Sequence, residues 1–95
     1  MVVTNYKRMK NMEMGDYDIP IKISFFNNNQ TTFSGFISWL ETHKCFHILN
    51  PLWENTTDEY IKYISPHRNA NNDATLMRLY LTKPQAFYFK LTWNL

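Results

Sequence analysis

The chain of 95 residues has one cysteine, two glycines and only three alanines. Each scarcity excludes something. A lone Cys45 leaves no internal disulfide, so side-chain packing and backbone pairing must hold the fold together. With Gly15 and Gly35 far apart there is no glycine-rich loop to cradle phosphates, which removes the usual sequence grounds for nucleotide-dependent chemistry. Three alanines are too few for the residue that favours helix by default. The apolar runs are a few residues long, against the ~20 that a membrane-spanning helix needs, and the first residues lack an apolar stretch followed by a small-residue cleavage site. The expectation is a soluble, cytoplasmic protein with no membrane partner. Charge of either sign is also sparse: ten Lys or Arg against eight Asp or Glu leave +2, which neither demands an anionic partner nor bars one.

What is abundant is aromatic. Seven Phe, six Tyr and three Trp, with a good supply of Ile and Thr, are residues that pack well on pleated surfaces. Eleven asparagines compete with regular backbone pairing and mark turns and caps. The joint excess of Asn, Lys, Ile, Phe and Tyr also fits an AT-biased genome such as that of a phage or mobile element. Length allows one core, which assigns residues 19–95 to a single β-rich domain and residues 1–18 to a flexible or irregular N-terminal arm.

Period-two alternation then predicts five strands. Ile21, Ile23 and Phe25 alternate with Lys22, Ser24 and Phe26 after Pro20, and the Asn27–Gln30 stretch supplies a turn. Thr31–Leu40 alternates through Phe33, Gly35, Ile37 and Trp39, Lys44–Leu49 through Phe46 and Ile48, and Thr75–Leu81 through Met77, Leu79 and Leu81. Gln85–Trp93 places Phe87, Phe89, Leu91 and Trp93 on one face, after a turn at Thr82, Lys83 and Pro84. One short helix is expected between the third and fourth strands: Thr56 followed by Glu59 matches a capping box, Tyr60, Ile61 and Ile64 form the apolar stripe, and Pro66 ends it. The expected fold is thus β-rich α+β, a five-stranded mostly antiparallel sheet or an SH3/Sm-like barrel. Gly35 ahead of an apolar residue resembles the second strand of Sm-type barrels. That resemblance spans Ile21–Asn50 only and departs from the family in lacking its Asp and glycine-rich nucleotide loop.

No pattern of reactive residues points to catalysis. His43, Cys45 and His47 share a parity on the expected third strand, but at ~3.3 Å per residue the two imidazoles stand about 13 Å apart, too far to share one zinc ion. Cys45 with His67 and Asp58 or Asp73 can be drawn as a nucleophile set, but no spacing supports it. The expectation is a non-enzymatic protein without catalytic residues, metal or cofactor.

Binding is the remaining class. A small interior cannot absorb sixteen aromatic rings, and surplus Tyr and Trp tend to sit in contact surfaces. Trp53, Phe26, Phe36, Tyr80 and Tyr88 are the expected protein-binding residues, the partner being another protein or a second copy paired as a homodimer. Stoichiometric contact of this kind suits an inhibitor. The alternative is single-stranded DNA or RNA held on a basic and aromatic sheet face, with Lys7, Arg8, Lys10, Arg78 and Lys90 on the phosphates.

Overall fold

In the computed structural model, which describes residues 12–95, the sheet has three strands. They are β1 (Tyr17–Lys22), β2 (Phe46–Leu49) and β3 (Thr75–Leu81), in the order β1-β3-β2, with β3 antiparallel to both neighbours. The registers Ile19↔Leu79, Ile21↔Met77 and Leu49↔Met77 put these side chains on one face. Asp18, Pro20, Phe46, Ile48, Arg78 and Tyr80 take the other. Pro20 stands in an edge strand, where its missing N–H removes no bond from the central ladder. Gly15 lies close against the end of β3, where an added Cβ would come within 2.0 Å of the Leu81 carbonyl carbon, so only glycine fits there.

Among the described residues there are also four α-helices: α1 (Ser24–Asn28), α2 (Phe33–Thr42), α3 (Asp58–Ile64) and α4 (Lys83–Thr92). Single 3₁₀ turns at Pro51–Trp53 and Ser65–His67 flank α3. All four helices contribute to one core with the Ile19, Ile21 and Leu79 face of the sheet, through Phe25, Phe36, Leu40, Ile61 and Phe89. Its centre is aromatic. The Phe25 and Phe36 rings lie 4.6 Å apart, and Trp93 approaches Phe36 to 5.3 Å and Trp39 to 5.8 Å. Each buried ring contributes roughly 1.5–3 kcal/mol relative to exposure, as does each of the more numerous buried Ile, Leu and Met side chains around it.

The five-stranded sheet and the SH3/Sm-like barrel are therefore wrong: the domain is mixed α+β with an open sheet. Two expected strands are helices. Over Thr31–Leu40 the apolar residues fit both periods, and Phe33, Phe36, Ile37 and Leu40 fall at i, i+3, i+4 and i+7. Thr32 settles the choice locally, because its side chain accepts from the Gly35 N–H as an N-cap. Gly35 is thus a first-turn residue of α2 rather than a bend in a barrel strand, and the Sm-type resemblance ends with it. Gln85–Trp93 is likewise helical from Lys83 to Thr92: Thr82 caps Gln85, the Gln85 side chain accepts from the Thr82 N–H, and Pro84 occupies the first turn, where it costs no bond.

Other expectations fall closer. Thr75–Leu81 is β3, the strand expected at Lys44–Leu49 runs from Phe46, and the helix after Thr56 begins one residue later, with Thr57 accepting from the Tyr60 N–H. The strand expected through Phe26 stops at Lys22, and Phe25 and Phe26 turn into α1. There the Ser24 N–H donates to Asp73 Oδ1 at 3.0 Å and the Ser24 hydroxyl donates to the other oxygen. Helices α1 and α2 end alike. Gln30 and Lys44 adopt φ of 50° and 56°, and the Thr31 and Cys45 N–H groups reach back to the Phe26 and Leu40 carbonyls at 3.1 and 2.8 Å. Both are Schellman endings built without glycine.

Candidate protein-binding surface

Helix α4 carries two apolar stripes on opposite sides. Ala86 and Phe89 are buried and Trp93 packs partly buried beside them. At 100° per residue the opposite side holds Pro84, Phe87, Tyr88 and Leu91, spaced i, i+3, i+4 and i+7. That spacing is the pattern of a helix seated on a partner, yet Phe87, Tyr88 and Leu91 are 63%, 57% and 67% exposed. Lys83 and Lys90 flank the stripe on one side, and α4 has no acidic residue. The helix is fixed to its neighbours at its first turn, where Gln85 Nε2 donates to the His43 and Lys44 carbonyls at 3.2 and 3.0 Å.

A second exposed group surrounds α3. Ile61 faces the core, while Glu59, Tyr60 and Tyr63 turn away from it. The Trp53 ring lies 6.3 Å from Tyr60, and Leu52 beside it is 87% exposed. Residues 51–57 and Tyr60 line an open hollow of about 530 Å³, half of it polar through Glu54, Asn55, Thr56 and Thr57.

The residues expected to bind protein are dispersed. Phe26 and Phe36 are buried in the core and present no ring to a partner. Trp53 is half-buried against the core at the rim of the α3 hollow, and Tyr88 is on the outward stripe of α4. Tyr80 lies half-buried on the face of the sheet opposite the core, edge-on to Phe46 at 6.0 Å. Phe87, Leu91, Leu52 and Tyr63 were not singled out by alternation, because a strand reading puts Phe87 and Leu91 on the core side.

The nucleic-acid set does not assemble on one sheet face. Arg78 stands beside Tyr80 on β3 and is ion-paired with Asp18 at 3.0 Å, both side chains 48% exposed. Tyr88 and Lys90 are on α4, which packs against the opposite face of the sheet. Lys7, Arg8 and Lys10 lie outside the described residues.

Nor do the groups considered for chemistry converge. His43 caps α2 and sits on Trp39, with ring centres 4.3 Å apart. Cys45 is fully buried, and its desolvation pushes the thiol up to about 11, away from the thiolate that a nucleophile needs. Asp58 and Asp73 are bound to Ser34 and Ser24, and the His67 ring meets Tyr63 at 6.2 Å. Among the described residues no three His, Cys, Asp or Glu side chains form a group able to hold a metal ion, and no helix is long and apolar enough to cross a membrane.

No family model, no curated protein and no solved structure matches this chain, and the phage or mobile-element origin read from composition finds no relative to support it.

Proposed function

We propose that this domain is a non-enzymatic protein-binding module that acts by surface contact through α4. The observation that carries this reading is the outward stripe of Pro84, Phe87, Tyr88 and Leu91, opposite the core-facing Ala86 and Phe89. A helix whose role is only to close the core needs one apolar stripe and places polar residues on the other side. Here the solvent side is apolar as well, and exposed apolar side chains grouped on one element mark interaction surfaces. Lys83 and Lys90 at its edge add a preference for a partner with acidic groups near its apolar contact.

The reading is tested by affinity capture from host extract with nuclease-treated samples, comparing the wild-type chain with a Phe87→Glu/Leu91→Glu variant. The wild-type chain retains a protein after nuclease treatment, and the variant loses it while keeping its melting temperature. Retention that disappears with nuclease, or that the variant keeps, overturns the proposal.

A further inference from the structure

We draw no further inference here: the strongest candidate, the outward apolar stripe of Phe87, Tyr88 and Leu91 on α4, belongs to the surface already described, and nothing in the structure shows what covers it.

Discussion

Asp58 holds the start of α2 across 24 residues of sequence: its Oδ1 accepts from the Ser34 N–H at 2.8 Å, and its Oδ2 accepts from the Ser34 hydroxyl. The same carboxylate is the first residue of α3, whose own N-cap is Thr57. One negative charge thus sits at the positive ends of two helices and ties them together. The Ser24–Asp73 pair does the same for α1 and the loop before β3, so two of the helices are capped by carboxylates distant in sequence.

Removing that charge should loosen α2 against α3. Asp58→Ala is expected to lower stability by about 1–2 kcal/mol, and Asp58→Asn by less, since the amide keeps one acceptor. Urea denaturation of Ser34→Ala, Asp58→Ala and the double variant measures the coupling. If the two single losses simply add, the pair does not act as a unit.

Gln30 and Lys44 are ordinary residues in a backbone conformation that favours glycine, with φ of 50° and 56°. Gln30→Gly and Lys44→Gly are each expected to raise stability by about 0.5–1 kcal/mol, because relief of the left-handed strain exceeds the added entropy of the unfolded chain. Thermal melting of the two variants beside Lys44→Ala checks this. The alanine variant keeps the strain and should melt with the wild-type chain.

Cys45 gives the fold a pH limit on the alkaline side. Burial raises its thiol from 9.0 in the open chain to about 11, so the folded state holds the proton more tightly than the unfolded state does. Its contribution is complete below pH 9 and is lost as pH rises from 9 through 11. Denaturation midpoints measured from pH 8 to 11 should fall more steeply for the wild-type chain than for Cys45→Ala. Alkylation of the native thiol at pH 8 should be slow and become fast on unfolding.

Part of this fold was legible beforehand, and the misreadings have identifiable causes. Met77, Leu79 and Leu81 alternate with Arg78 and Tyr80, and with no capping threonine ahead of a first-turn proline or acid in this segment the strand reading gives β3 directly. The start of α3 was readable from its threonines and following acids, to within one residue. The same kind of signal stood at Thr82-Lys83-Pro84-Gln85, where a capping box with proline in the first turn announces α4, yet the alternation of Phe87, Phe89, Leu91 and Trp93 outweighed it. Thr32 ahead of Gly35 was a weaker marker of the same sort. In both segments large apolar residues occur at spacings of two and of three or four, so periodicity alone could not choose. Of the candidate site, Tyr88 and Trp53 were named beforehand. The strand reading hid Phe87 and Leu91 by assigning them to the core.

What the residues by themselves determined is local: the central strand, a helix start next to Thr56, the dependence on packing in a chain with one thiol, and a supply of rings larger than the interior can hold. The tertiary structure alone decided which rings those are. A helix and a strand of the same sequence bury different side chains, and only the partners waiting in the core, Phe25, Phe36 and Trp39, make the face with Ala86, Phe89 and Trp93 the one to bury. That choice turns Phe87, Tyr88 and Leu91 outward, because residues on opposite sides of one helix cannot both reach the same core.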